Sequence, residues 1–267
     1  MAQPPLSQAL QKLEREVGAQ LMVRGGRGIA LTRAGAVLAE VASGLLRHAD
    51  QLLPKVRSAG LSESGSLTLG SVSIACATVA PALLNSFRRT SPQVNVSLLA
   101  MSSVQLYDAL IRGSVDVALA RATTPIPGID VQVIVEERVL MAVPLDHPQA
   151  GRSAPLSTFR NDSFVLYTRR LGAHHYDDLM AACQTIGKFC PAVRVEAESL
   201  TSQQAMISAG YGVGFVTELS RHLDTPGLAY VDIEDLTLRV PLVAARRNEN
   251  TSPVIERFYD TILMTHG

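Results

Sequence analysis

Charged residues, cysteines and long apolar runs are all scarce in this sequence. Charged residues make up 18% of the chain and apolar residues 47%, which is enough for a sizeable core. No apolar run approaches the roughly 18 residues that span a bilayer, so we expect no membrane segment and no membrane partner. Residues 1–5 lack a basic stretch followed by an apolar core, which argues against a secretory signal and predicts a cytoplasmic protein.

The chain has only three cysteines, Cys76, Cys183 and Cys190, and none of them forms a C-x-x-C pair. Such a sparse and odd-numbered set is typical of a reducing compartment rather than of a disulfide scaffold. No tight cluster of histidine and cysteine indicates structural zinc. We therefore predict buried free thiols and no bound metal.

Sequence motifs of enzymes are missing as well. There is no G-x-S-x-G, P-loop or H-E-x-x-H pattern, so we predict neither an enzyme nor a cofactor. The glycines of residues 210–214 follow a predicted helix and enter a strand, the reverse of the order in a dinucleotide site, which favours a tight turn. His174 and His175, with Asp177 and Asp178 close by, are interpreted as a solvated helix start because no third histidine is near.

The net charge of zero conceals an asymmetry. Residues 1–60 carry eight Lys or Arg against four acidic residues, whereas the rest of the chain carries sixteen against twenty. A basic front segment on an acidic body suggests that only the front meets a polyanion.

The front segment is predicted to form a helix followed by two short strands. Pro4 and Pro5 suit a first helical turn, Gly18 suits a helix end, and an apolar stripe lies between them: Leu6, Leu10, Leu13 and Val17. Residues 21–24 and 29–31 read as strands joined by a glycine turn that carries Arg27.

Thr32 is placed to cap a second helix. This helix carries a heptad seam of Leu38, Ala42, Leu45, Ala49, Leu52 and Val56, which favours pairing with another helix. Packing on its own domain is the alternative, but residues 60–66 read as a flexible linker that would hold the helix away from the body. From residue 67 onward predicted strands alternate with helices, which indicates an α/β domain of two lobes with largely parallel sheets.

Several segments resemble LysR-type transcription regulators. Residues 3–14 resemble the recognition helix of that family, and residues 21–24 and 26–35 resemble its wing and the start of its linker helix. Residues 113–119, 144–148 and 210–216 resemble its effector domain in the expected order. The resemblance spans essentially the whole chain. The family, however, has two more helices before its recognition helix, so we expect the true start of the protein to lie upstream of Met1.

The resemblance implies an α/β protein with a partial winged helix-turn-helix at residues 1–32, a dimerising linker helix at 33–58 and a hinge at 59–66. A periplasmic-binding-protein-like effector domain is implied at 67–267, with one lobe at 67–143 and 240–267 and the other at 144–239. Such proteins act as homodimers or homotetramers on two-fold-related sites in double-stranded DNA. Cys183 and Cys190 invite comparison with the family's peroxide-sensing branch, but their apolar surroundings favour buried thiols.

A recognition helix places its first residues against base edges in the major groove. Gln3, Ser7 and Gln8 suit hydrogen bonds to bases, and Pro4 suits a thymine methyl group. Lys12, Arg24 and Arg27 suit phosphates or the minor groove at the wing. An ordinary solvated face is the alternative interpretation, which the wing and the order of the segments make less favourable.

Ligands of open α/β sheets lie beyond the carboxyl ends of strands, near helix N-termini that favour anions. Polar side chains follow the predicted strands, and we expect them to bind a small-molecule effector: Ser71, Ser73, Ser102, Ser103, Arg121, Thr123, Thr168 and Thr217. Each hydroxyl could instead cap a helix or close a turn. The set predicts a small organic or aromatic acid as the effector.

Two other functions remain open on the sequence. One is an exported solute-binding protein with the same two-lobed body, which would need neither the basic front segment nor the heptad helix. The other is a dimerising ligand sensor that does not bind DNA.

Overall fold

The computed structural model describes residues 4–25, 28–39, 41–42, 46, 65–122, 124–250 and 252–266. The chain divides into two compact units, Met1–Gly60 and Leu61–Gly267. Within the described ranges, no helix combines the length and the apolar character needed to cross a membrane.

The first unit begins with the predicted helix and strand pair. Helix α1 (Pro4–Val17) ends at Gly18, which adopts a φ of +71° and donates its amide to Glu14 O at 2.9 Å. Strands β1 (Met22–Gly25) and β2 (Gly28–Leu31) pair antiparallel. The Glu14 carboxylate accepts the amides of Leu21 and Met22 at 2.7 and 3.2 Å, which ties the strand pair to the helix.

A second helix, α2, is described at residues 33–39 and 41–42. Thr32 Oγ1 accepts the Gly35 amide at 3.0 Å, so the predicted cap is confirmed. Leu38 and Ala42 of the heptad seam lie in this helix and are partly buried. The remaining seam positions, Leu45, Ala49, Leu52 and Val56, and hinge residues 59–64 lie outside the described residues.

The first lobe of the second unit is built on a mixed sheet. Strand β3 (Ser66–Ser71) pairs parallel with β4 (Asn95–Ala100) and β5 (Val117–Arg121). Strand β12 (Arg239–Arg247) runs antiparallel between β5 and residues 129–138 of β6 (Ile129–Pro144). The helices of this lobe are α3 (Ser73–Thr78), α4 (Ala80–Thr90), α5 (Ser103–Ile111) and α8 (Pro253–His266). Its core centres on Phe87 and Phe258, whose rings meet edge to face at 5.1 Å.

The end of β6 belongs to the sheet of the second lobe. Residues 139–144 pair antiparallel with β10 (Gly214–Thr217) and β11 (Leu228–Ile233), and β7 (Ser153–Ala154) joins β11 in parallel. Strand β8 (Ser163–Tyr167) pairs parallel with β9 (Ala192–Ala197). Helices α6 (Ala173–Thr185) and α7 (Leu200–Ser208) cover this lobe, and 3₁₀ turns occupy Leu156–Asn161, Arg169–Leu171 and Glu218–His222.

Strand β6 crosses between the lobes at Arg138 and Val139, a few residues before the boundary predicted after residue 143. The sequence shows no break there because one continuous strand serves both sheets. The pairs along β6 are antiparallel, so the sheets are less parallel than predicted. Residues 129–138 and strand β11 were not predicted as strands.

Candidate functional site

A cleft of about 850 Å³ lies between the two lobes of the second unit. The ends of β3 and β5 and the start of α5 border it on one side. The ends of β8 and β10 and the starts of α6 and α7 border it on the other. The cleft therefore occupies the position where carboxyl ends of strands and amino ends of helices meet, as predicted.

In each lobe, one helix with a capping box begins at the cleft. Ser102 caps α5 by accepting the Gln105 amide at 3.4 Å, while Gln105 Oε1 accepts the Ser102 amide at 3.0 Å. Ser199 and Ser202 form the same reciprocal pair at the start of α7, with both amide–hydroxyl distances 3.0 Å. The first amides of such helices have no intrahelical acceptor, so each start favours a negative group.

Arg121 lies at the centre of a polar network between the lobes. Its Nη1 pairs with Glu137 and its Nη2 donates to Thr217 Oγ1 at 2.8 Å. The Glu137 side chain is only 1% exposed, and its other oxygen accepts the Leu219 amide at 2.8 Å. Ser103 Oγ accepts the backbone amide of Arg121 at 3.0 Å. Because Glu137 compensates the guanidinium, the charge of Arg121 is largely balanced within the protein.

His175, on the first turn of α6, lines the cleft opposite this network. Burial, assisted by the positive charge of Arg121, lowers the pKa of His175 to about 4. The imidazole is therefore neutral near pH 7. The interpretation of His174 and His175 as a solvated helix start is wrong for His175, because this residue lines the interlobe cleft and is partly buried there. Burial also raises the pKa of the neighbouring cleft residue Tyr167.

The structure brings together five of the eight predicted effector residues, namely Ser73, Ser102, Ser103, Arg121 and Thr217. Ser71 is fully buried in the sheet and donates to the Val72 carbonyl at 3.0 Å, so it is not among the lining residues. Thr168 is also not part of the described lining, because its hydroxyl is buried at the end of β8. Thr123 lies outside the described residues.

Several further polar residues line the cleft and were missed, among them His175, Ser199, Gln203 and Ser220. Ser199 has a local signal, since a serine three residues before another serine at a helix start is a capping pattern. Gln203 and Ser220 have no such signal, because their positions depend on packing between distant segments.

Two of the residues predicted to contact DNA have described side chains, and both are accessible in the first unit. Gln8 and Lys12 are exposed on α1, and Lys12 Nζ lies 3.9 Å from Glu16 Oε1. Pro4 and Ser7 belong to α1 and Arg24 to β1, but their side chains are not described, and Gln3 and Arg27 lie outside the described residues. On the apolar stripe, Leu13 and Val17 are 39% and 46% exposed.

The three cysteines were all predicted to be buried, but they differ in exposure, and Cys76 is only partly buried. Cys183 is fully buried, and burial raises the pKa of its thiol to about 12. Cys190 is exposed, which corrects the prediction of a buried thiol there. The reason is that Phe189 turns inward against Phe164, with ring centroids 5.8 Å apart. Across the described ranges, no group of three or more His, Cys, Asp or Glu side chains could hold a metal ion.

Two family models match this chain. The model described as "Bacterial regulatory helix-turn-helix protein, lysR family" matches residues 1–36. The model described as "LysR substrate binding domain" matches residues 60–266 and therefore includes the whole cleft.

Relatives and solved structures agree with these matches. The HTH-type transcriptional regulator AlsR of Bacillus subtilis is 26% identical over 259 residues, covering 97% of this chain and 85% of that protein. The HTH-type transcriptional regulator XapR of Escherichia coli is 30% identical over 247 residues, covering 90% and 81%. The crystal structure of CbnR, a LysR family transcriptional regulator, superposes with a TM-score of 0.82 at 24% identity, covering 100% of this chain and 91% of that one.

Proposed function

Because this chain belongs to the LysR family of DNA-binding transcription regulators, whose second domain binds a small-molecule effector, we propose that the interlobe cleft is its effector site. We propose further that the effector is a small organic or aromatic acid. One observation carries the proposal: helices α5 and α7, from opposite lobes, both begin at this cleft.

The two helix starts explain why an anion suits the cleft. Their free amides and the positive ends of their dipoles favour a carboxylate without adding a mobile charge. The positive charge of Arg121 is already balanced by Glu137, so we expect Arg121 to orient a bound carboxylate by hydrogen bonding rather than to attract it by net charge. His175 is neutral and can donate one hydrogen bond.

Apolar side chains make up much of the remaining wall and suit the carbon skeleton of an organic acid. They come from both lobes and include Ile74, Tyr107, Leu166, Leu200 and Phe215. A pocket with apolar walls and a few polar groups is typical of small-molecule sites.

A bound acid can change DNA binding only if it prefers one arrangement of the lobes. An acid held by α5 on one side and α7 on the other meets this condition, since both contacts exist together only at one lobe separation. We infer that such an acid closes the cleft and that the closed form is the regulatory signal.

We infer that the first unit contacts double-stranded DNA at a two-fold-related site and that the protein acts in the cytoplasm as a homodimer or homotetramer. We assign DNA contacts to Gln8 and Lys12, whose side chains are described, and also to Gln3, Pro4, Ser7, Arg24 and Arg27. The helix-turn-helix match at residues 1–36 and the exposure of Gln8 and Lys12 favour this function over a solute-binding protein or a sensor without DNA binding. We propose no catalytic activity.

Aspartate substitutions at the helix caps test the effector site. Aspartate caps a helix as well as serine does, so Ser102→Asp and Ser199→Asp should preserve folding while repelling an anion from the cleft. Ser252→Asp, at the start of α8 and outside the described cleft lining, is the matched control.

Isothermal titration calorimetry with benzoate, acetate, succinate and the neutral benzamide supplies the measurement. We expect at least one acid to bind the unchanged protein, and each cap variant to weaken that binding at least about tenfold while Ser252→Asp does not. Binding of benzamide as strong as that of benzoate, or cap variants with unchanged affinity, would contradict an anion site.

A further inference from the structure

Two large apolar side chains of α5 are exposed on the cleft wall of the first lobe. Val104 and Ile111 are 47% and 57% exposed, and both line the cleft. Because they lie seven residues apart, they share one face of the helix. Neither belongs to the hydrophobic core of the lobe. Helix α5 therefore carries apolar surface that packing within its own lobe does not use.

The second lobe lines the same cleft with an apolar face of α6. Ala173, Tyr176 and Met180 follow one another at helical spacing, and all three belong to the cleft lining. Tyr176 and Met180 pack against the core of the second lobe but are only partly buried. Single exposed apolar residues are common on proteins, whereas apolar surface from two elements of one concave site is typical of ligand binding.

The start of α5 determines where the charged end of a ligand would lie. Ser102 caps the Gln105 amide, which leaves the amides of Ser103 and Val104 without an intrahelical acceptor and favours a carboxylate there. Ile111, the last residue of α5, lies roughly 12 Å from Ser103 along the helix axis. An acid must therefore have a long apolar tail to reach from the helix start to Ile111.

Asp108 determines the charge at the other end of the ligand. It lies on α5 between Val104 and Ile111, is exposed and also lines the cleft. Its carboxylate would repel a second acidic group at that end. An ammonium there would lose water against the two apolar side chains. The far end of the ligand is therefore uncharged.

We propose that the effector is a monocarboxylic acid with an extended alkyl or arylalkyl tail, about as long as decanoate. Its carboxylate meets the helix starts, and its tail lies along α5 against Val104 and Ile111. This inference rests on the proposed effector site and adds the requirement for an apolar tail.

A series of acids of increasing chain length tests the tail. Calorimetry on the full chain should give at least about fivefold tighter binding at each step from butyrate to hexanoate and octanoate, because full burial of one methylene group is worth about fourfold in affinity. The gain should end near decanoate, since the lining part of α5 ends at Ile111. A gain that continued unchanged to dodecanoate would indicate unspecific adsorption and overturn the proposal.

Compounds of the length of octanoate test its two ends. Suberate and 8-aminooctanoate, which end in a second carboxylate and in an ammonium, should bind at least about tenfold more weakly than octanoate, because an ionised end is costly to remove from water. Octanamide, which lacks the negative charge, should also bind at least about tenfold more weakly. Tighter binding of suberate or 8-aminooctanoate than of octanoate would contradict an uncharged tail.

The outcomes separate this inference from the proposed effector site. Equal affinity of butyrate and octanoate would overturn the tail and leave the acid site standing. Equal affinity of octanamide and octanoate would overturn the acid site and leave the apolar wall standing. If no compound bound at about 10 mM, roughly ten times a weak millimolar Kd, both proposals would be overturned.

Variants assign the tail contact to named residues. Val104→Gln and Ile111→Gln replace exposed side chains by a good helix former, so folding should be preserved. Each should weaken octanoate binding at least about threefold and leave butyrate binding unchanged, because only the longer chain reaches the apolar wall. Leu263→Gln on α8 is the matched control, since Leu263 is 45% exposed on a helix but lies outside the described cleft lining.

Size-exclusion chromatography of the same variants tests the other use of this apolar surface, a contact between two copies of the chain. We expect Ile111→Gln to elute like the unchanged protein. If Ile111→Gln changed the assembly but not octanoate binding, the exposed face of α5 would serve subunit contact and the tail site would be overturned. An equal loss of octanoate binding in Leu263→Gln would likewise contradict the assignment.

Discussion

Arg121 and Thr217 are joined by a hydrogen bond of 2.8 Å from Nη2 to Oγ1, although they belong to different lobes and lie 96 residues apart in the chain. The same guanidinium pairs with Glu137 on β6, the strand that crosses between the lobes. The contact thus links both lobes to their connecting strand, at the wall of the interlobe cleft.

Replacing Arg121 by methionine should cost about 3–5 kcal/mol of unfolding free energy, because Glu137 would remain buried without its countercharge. Arg138→Met is the control: Arg138 pairs with Glu218 on the surface, at 47% exposure, and its loss should cost less than about 1 kcal/mol. Urea denaturation measures both values. The double variant Arg121→Met/Glu137→Leu should recover most of the loss, and a double variant as unstable as the single one would show that packing, not the buried charge, is responsible.

His175 should make stability depend on pH. The pKa of the folded protein's imidazole is lowered from 6.5 to about 4, so between these values the unfolded chain binds the proton and the folded chain does not. The free energy of unfolding should therefore fall as the pH drops from 6.5 to 4, by up to about 3 kcal/mol from this residue.

Urea denaturation at several pH values across that interval checks the prediction for His175. The variant His175→Asn should show a shallower decline, whereas His174→Asn, at the exposed neighbouring residue, should retain the original slope. Identical slopes in the two variants would contradict the assignment to His175.

Gly212 should tolerate no side chain. Its φ is +150°, and a Cβ atom there would lie 2.2 Å from Ser163 O, where the strand entering β10 runs beside β8. Gly212→Ala should cost about 2–4 kcal/mol, because the backbone cannot shift without losing the Val213–Ser163 hydrogen bond of 2.8 Å. In the control Gly210→Ala, φ is +79° and no atom lies within 4 Å, so about 1–2 kcal/mol of conformational strain is expected. Equal losses in thermal unfolding would exclude the steric explanation.

Lys12 and Gln8 should affect DNA binding in different ways. Lys12→Ala should weaken binding to all sequences alike and reduce the slope of log affinity against log salt by about 1, because one phosphate contact is lost. Gln8→Ala should cost about 1–3 kcal/mol on a preferred site and relax base choice at one position. Fluorescence anisotropy on duplexes selected from a random library by the unchanged protein measures both effects. Arg89→Ala, an exposed charge on α4 of the second unit, should leave both unchanged.

Local features of the sequence determined the first unit's elements and much of the family assignment. The apolar stripe on α1, the stop at Gly18 and the cap at Thr32 each depend on neighbours within a few positions, so the pattern predicts them directly. Serines that follow strands were also predictable, and Ser102 and Ser103 do lie at the cleft.

Only the tertiary structure decided which polar groups face a ligand. Ser71 and Ser73 look alike in the sequence, yet the sheet buries one and leaves the other at the cleft. The Gln203 amide is oriented by carbonyls from β8 and β10, and the pKa of His175 is lowered by burial and by a charge from the opposite lobe. Such positions result from contacts between segments far apart in the chain, which no local pattern encodes, because burial and hydrogen bonding are set only once both lobes have assembled around β6.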